Sequence, residues 1–182
     1  SSGLDNEFTR TGYNFAGWFD GVNVIAEIAQ GTTGDIEVLK ALWRAVSYGI
    51  SYDYAGGEEV ADAPRTYTIE EEVVLPTPSR AGYEFAGWTM NGEAVEKIAL
   101  GSTGDVAVVA NWKAVEYAIS YDYAGGEEVA DAPKSFTVED EVALPTPQKA
   151  GYEFAGWTLN GEAFDGTLTT KLGDITLVAT RK

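Results

Sequence analysis

Two acidic clusters are the first residues to examine for chemistry. Asp53, Glu58, Glu59 and Asp62, within YDYAGGEEVADAP, recur as Asp122, Glu127, Glu128 and Asp131. Carboxylates this dense suit calcium, a hard cation that takes about six to eight oxygen ligands, or the acid–base pair of a glycosidase. Their spacing matches no established calcium loop such as the EF-hand. A glycosidase needs a deep cleft, which near-identical copies in small modules do not provide. The reading that remains is a solvated acidic loop, with no metal ligands and no stoichiometric calcium site. The chain also has no cysteine and no histidine. That removes disulfides, thiolate nucleophiles, zinc–thiolate and iron–sulfur sites, and the commonest general base. The sequence therefore assigns no catalytic residue and no cofactor, and the expected protein is not an enzyme.

The other repeated feature is aromatic. GYEFAGW stands at 82–88 and 151–157, and GYNFAGW at 12–18. Tyr13, Phe15, Trp18, Tyr83, Phe85, Trp88, Tyr152, Phe154 and Trp157 are thus copies of one motif, and Trp43 and Trp112 close two of its units. Such residues form either the core of a duplicated module or an exposed platform on which ligands stack. A module of about 70 residues without disulfides needs large apolar side chains inside, so core is the stronger reading. Strict alternation would set Trp88 opposite Phe85. A bulge at Gly87 would bring Tyr83, Phe85 and Trp88 to one face.

The elements that must position these residues repeat with a fixed offset. SYDYAGGEEVADAP begins at Ser51 and again at Ser120, 69 residues on, the same offset as Gly82 to Gly151. Residues 47–115 and 116–182 read as complete modules. Residues 1–46 hold the heptapeptide, a GTTGD turn and Trp43, but no counterpart of the Tyr48–Tyr54 strand. They read as the C-terminal part of a truncated module. It is expected to pair its open edge with another chain by strand addition, or to lean on the neighbouring module.

Within a module the pattern is mostly strand. VEYAISYDY alternates, with Val115, Tyr117, Ile119, Tyr121 and Tyr123 on one face. TYTIEEEVVLP (Thr66–Pro76) reads as a second strand, with Glu70–Glu72 on an exposed face or edge. The heptapeptide is the third strand and GDVAVVANW the last. Asn91–Gly92 and Asn160–Gly161 signal hairpin turns. Residues 93–100 could make a turn or two of helix, so the fold class is mostly β with α+β left open. The joints RAV (Arg44–Val46) and KAV (Lys113–Val115) are too short for flexible linkers, which predicts an elongated rod.

The net charge of −17 across 182 residues repels phosphate backbones and anionic lipid, so no nucleic-acid partner is expected. No run of about 18 apolar residues occurs, so no membrane insertion is expected. The amino-terminal SSGLDNEFTR lacks the charged start and apolar stretch of a signal peptide.

The pattern P-x-P-x-x-x-G-Y-x-F-x-G-W, followed by G-x-T-G-D and closed by A-x-W, resembles the Listeria–Bacteroides repeat. The B repeats of internalin B belong to the same group. Here the pattern falls on Pro76, Pro78, Gly82, Tyr83, Phe85, Gly87, Trp88, Gly101, Gly104, Asp105, Ala110 and Trp112. Its next copy falls on Pro145, Pro147, Gly151, Tyr152, Phe154, Gly156, Trp157, Gly173, Asp174 and Ala179, with Arg181 in place of the closing Trp. The resemblance implies small β-grasp-like modules in tandem in bacterial cell-surface or secreted proteins. It implies adhesion, partner contact or spacing at an extracellular location, without catalysis. The expected partner is a host or neighbouring-cell surface protein or glycan. The alternative is a carbohydrate-binding array that uses exposed aromatics.

Overall fold

The computed structural model describes residues 2–3, 8–34 and 38–182, so Asp35 of the GTTGD turn lies outside the described residues. Among them every regular element is a strand. The first repeat holds β1 (Ser2–Gly3), β2 (Tyr13–Phe19), β3 (Val24–Ile25), β4 (Glu27–Ile28) and β5 (Lys40–Ala45). The second holds β6 (Tyr48–Asp53), β7 (Thr66–Tyr67), β8 (Val73–Val74), β9 (Tyr83–Met90), β10 (Glu93–Val95), β11 (Lys97–Ile98) and β12 (Val106–Ala114). The third holds β13 (Tyr117–Asp122), β14 (Ser135–Phe136), β15 (Phe154–Leu159), β16 (Glu162–Ala163) and β17 (Ile175–Arg181).

The main sheets of the second and third repeats share one strand order, β10-β9-β12-β6-β7 and β14-β13-β17-β15-β16 read in reverse. In each, the first and last strands are parallel neighbours: Ile50 faces Val106, and Ile119 faces Ile175. This is the grasp-type sheet the resemblance implies, with a mostly-β composition. Asp105 fixes the parallel pair, because its Oδ1 accepts the Gly49 N–H at 2.8 Å; Asp174 does the same for Ala118 at 2.9 Å. A parallel pair cannot be closed by a short hairpin, so the whole repeat lies between its two central strands.

Two expectations fail. Residues 93–100 are not helical. The Asn91–Gly92 turn, with φ of 51° and 82°, folds Glu93–Val95 back onto β9, and Ile98 reaches the core through pairing of β11 with β8. Thr66–Pro76 is not one strand either. After Tyr67 the chain turns at Thr68–Glu71, where Glu71 N–H donates to Thr68 O at 3.1 Å and Glu70 N–H to Thr68 Oγ1 at 3.3 Å. A threonine hydroxyl that bonds local backbone competes with the ladder. Glu70 therefore sits on a turn, and the imperfect alternation of this segment is the trace of it.

The described chain forms two compact units. One comprises Ser1–Ala55, Glu59–Pro78 and Gly87–Asn111; the other Gly56–Glu58, Ser79–Ala86 and Trp112–Lys182. Their border runs through the second repeat rather than between repeats. The core of the first unit includes Ile50, Tyr67, Val73, Trp88, Ile98 and Val108, and that of the second Ile119, Phe136, Trp157, Leu168 and Leu177. The first repeat has the three-stranded sheet β3-β2-β5, and its described residues contribute no fully buried position.

Candidate functional site: a clasp of glycine, tyrosine and glutamate

The heptapeptide splits its aromatics between two tasks. Along β2 and β5 the register shifts between Phe15 and Gly17, and along β15 and β17 between Phe154 and Gly156. The glycines at the shift have φ of 120° and 110°, and Gly87 has 103°. Only glycine adopts such values at little cost. The extra residue sets Trp18 beside Phe15 and Trp157 beside Phe154, edge to face at 5.6 and 5.4 Å.

Trp88 and Trp157 are 3% and 5% exposed, and their indole N–H groups donate to Pro76 O and Pro145 O at 2.7 and 2.9 Å. Tyr52 and Tyr54 pack edge-on against Trp88, and Tyr123 edge-on and Tyr121 at a tilt against Trp157. Trp18, Trp43, Trp112, Phe15, Phe85 and Phe154 are only partly buried. Trp112 is therefore not the fully buried core residue its spacing suggests. Its ring covers Gly57 and meets Phe85 at 5.5 Å, at the rim of the sheet. Arg181 takes the same place in the third repeat. Its guanidinium covers Gly126, stands 5.5 Å from the Phe154 ring and donates from Nη2 to Tyr123 O at 3.1 Å. Its Nε is buried without a hydrogen-bond partner among the described residues.

The tyrosines of the motif are not core residues. Tyr13 and Tyr83 are partly buried, and Tyr152 is 55% exposed. Each ends a tight turn, R-T-G-Y, R-A-G-Y or K-A-G-Y, closed by donation from the Tyr N–H to the carbonyl three residues back at 3.0–3.1 Å. Glycine stands at the third position with φ of 79°, 81° and 82°, as a type II turn requires. The cation at the head of the turn lies over the Tyr ring, Arg10 at 4.0 Å, Arg80 at 3.8 Å and Lys149 at 4.6 Å.

In two of the three copies this turn holds part of the following repeat. Tyr13 OH donates to Glu70 Oε1 at 3.0 Å, and Tyr83 OH to Glu139 Oε1 at 2.8 Å. The residue before each glutamate packs on the turn glycine. A Cβ at Gly12 would stand 2.6 Å from Ile69 Cδ1, and one at Gly82 2.7 Å from Val138 Cγ1. The glycine carbonyl takes a third contact, accepting Val46 N–H at the first joint and Val115 N–H at the second, both at 2.9 Å. The short joints are thus tied down by backbone. The first clasp lies within the first compact unit and the second within the other.

Glu70 and Glu139 stand on matching turns, T-I-E-E and T-V-E-D, each closed at 3.1 Å from the fourth residue to the threonine carbonyl. Hydrogen bonding to a carboxylate, reinforced by partial desolvation and the nearby negative charge, raises the Tyr13 and Tyr83 phenols above their ordinary pKa. The sequence does not single out these glutamates, because a run such as Glu70–Glu72 reads as an exposed face or edge. The available signal was the near-constant offset from Tyr13 to Glu70 and from Tyr83 to Glu139, 57 and 56 residues.

The acidic loops are built for turning. Asp53 Oδ1 accepts Ala55 N–H, and Asp122 Oδ1 accepts Ala124 N–H, both at 2.9 Å. Ala55 and Ala124 have φ of 48° and 50°. Among the described residues no three carboxylates gather in one place.

Tandem grasp-type β repeats, each presenting a Gly-Tyr turn, define the class. The chain belongs to the Listeria-Bacteroides repeat domain family, whose match covers residues 2–38, 48–111 and 117–180. It is similar to two proteins of Evansella cellulosilytica. One, named "Putative Gly-rich membrane protein", is 27% identical over 179 residues, 93% of this chain and 20% of that protein. The other, named "Putative membrane protein", is 26% identical over 164 residues, 86% of this chain and 24% of that protein. The chain thus spans about a fifth to a quarter of the length of these relatives. No solved structure matches it significantly.

Proposed function

We propose that this chain is a non-catalytic repeat region of a bacterial cell-envelope protein, serving as a spacer or adhesive stalk that carries other parts of the protein outward. The observation that carries this reading is the clasp. Two contacts, on a glycine and on a phenol, join a repeat to its successor twice, and the same glycine's carbonyl holds the joint between them. A joint tied at three points transmits position and load, which a free linker cannot do. Trp88 and Trp157 are packed in cores, where they cannot stack a sugar. The membrane-protein names of the two relatives support a place at the cell envelope.

The reading is tested in the parent protein by deleting residues 47–115 in frame and labelling intact cells with an antibody to a segment beyond the repeats. Reduced labelling with unchanged protein amount is expected. Unchanged labelling together with loss of a measured hydrolytic or transfer activity would reject it. The carbohydrate-array alternative rests on Tyr152, the exposed member of the motif. It predicts that wall polysaccharide quenches or shifts aromatic fluorescence in the intact chain; no response is expected.

A further inference from the structure

The third copy of the turn has every part of the clasp except the contents. Lys149 stands over the Tyr152 ring, the Tyr152 N–H closes the turn onto Lys149 O at 3.1 Å, and Gly151 has φ of 82°. A Cβ at Gly151 would meet nothing within 4 Å, whereas one at Gly12 or Gly82 would overlap Ile69 or Val138. The Tyr152 phenol has no partner among the described residues, and its side chain is the most exposed aromatic of the three motifs. Gly151 and Tyr152 thus present the surface that Gly12–Tyr13 and Gly82–Tyr83 use to hold the following repeat.

We infer that the Gly151–Tyr152 turn is an open clasp, and that it receives the β-branched–glutamate corner of a further repeat of this type. The inference rests on the tandem-repeat reading and extends it to a named surface. Two occupied copies define the occupant. Both hold a β-branched residue on the glycine and a glutamate on the phenol, Ile69–Glu70 and Val138–Glu139. The corners of this chain's second and third repeats are already engaged, so a second copy of the chain offers none from those repeats. The cation is also kept, since Lys149 stands over the Tyr152 ring as Arg10 and Arg80 stand over the rings of the filled copies and leaves a positive charge near the place an incoming carboxylate would take. Register agrees as well. Lys182 pairs with Glu153 through bonds at 2.9 and 3.1 Å. The strand direction then brings a residue two positions further on to the Gly151 carbonyl, as Val115 meets Gly82.

The test appends a second copy of residues 114–182 directly after Lys182 of the full chain, which reproduces the Lys113–Ala114 junction. Glycine α-proton to valine methyl Overhauser contacts are then measured. Contact between Gly82 and Val138 is the internal control, and the same contact between Gly151 and the valine of the added corner is expected. Gly151→Ala should lower the melting temperature by several degrees more in the extended chain than in the original, since backbone strain is common to both and the clash arises only when the clasp is filled. A Gly82–Val138 contact without its Gly151 counterpart overturns the inference and leaves the tandem-repeat reading standing. Loss of both contacts overturns the clasp itself. Equal effects of Gly151→Ala in the two chains overturn the inference too, as does concentration-dependent dimerisation of the original chain that Tyr152→Ala abolishes. Protection of Tyr152 by wall polysaccharide, with no contact to the added corner, would assign the turn to a glycan instead.

Discussion

Trp18 and Trp88 occupy the same motif position in two repeats, yet their surroundings differ, and removing each measures what the surroundings are worth. Trp88 is 3% exposed, flanked by Tyr52 and Tyr54, and hydrogen-bonded to Pro76 O. An indole buries about 200 Å², which at about 25 cal/mol/Å² is roughly 5 kcal/mol. An extended reference chain overstates that by about 10–40%. With the cavity left behind, Trp88→Ala should cost about 4 kcal/mol, within the range of about 3–5 kcal/mol for such truncations. Trp18 has Phe8 and Phe15 for neighbours and is only partly buried. Trp18→Ala should cost about half as much, on the order of 2 kcal/mol, in proportion to the smaller area withdrawn from water. Both residues belong to the same compact unit. At about 4–8 °C per kcal/mol, the two variants should differ in melting temperature by about 8–16 °C in far-ultraviolet circular dichroism, which does not depend on the removed fluorophore. Equal losses, or a Trp88→Ala melt within two degrees or so of the parent, would refute the packing argument.

The remaining predictions concern the clasp, the rim and the loops. Gly82→Ala should lower stability by about 2–3 kcal/mol in urea unfolding, because left-handed strain of about 1–2 kcal/mol adds to overlap with Val138. Gly87→Ala, with open space at its Cβ, should show the strain alone. The Tyr13 and Tyr83 phenols are raised in the folded chain, so what they contribute is complete below their unfolded pKa of about 10 and is lost as pH rises through the folded value. Melting temperature should fall more steeply above that pH in the parent than in Tyr13→Phe/Tyr83→Phe. Burial, helped by Tyr123, pushes the Tyr121 phenol up to about 12, so near-ultraviolet titration should show a late step that Tyr121→Phe removes. Arg181→Trp should stabilise the third repeat by about 1 kcal/mol, since it removes a buried unpaired donor whose burial costs about 1–3 kcal/mol. Millimolar calcium should leave the melting curve unchanged.

The amino-acid sequence by itself determined the repeat and its period, the strand character of the alternating segments, the Asn-Gly hairpins and the bulge at the motif glycine. These depend on local steric preference and on side-chain periodicity, which a strand records every second residue. Composition also settled the absence of thiol and imidazole chemistry. Tertiary structure alone decided which aromatics are core. Trp88 and Trp157 are sealed because tyrosines of the first strand close over them, whereas Trp18, at the same motif position, is only partly buried. It likewise decided that Thr68–Glu71 is a turn and that Glu70 and Glu139 meet tyrosines of the preceding repeat. A carboxylate on a polar stretch looks the same in sequence whether it faces water or a phenol more than fifty residues away. Only the folded path of the chain brings the two within hydrogen-bonding distance.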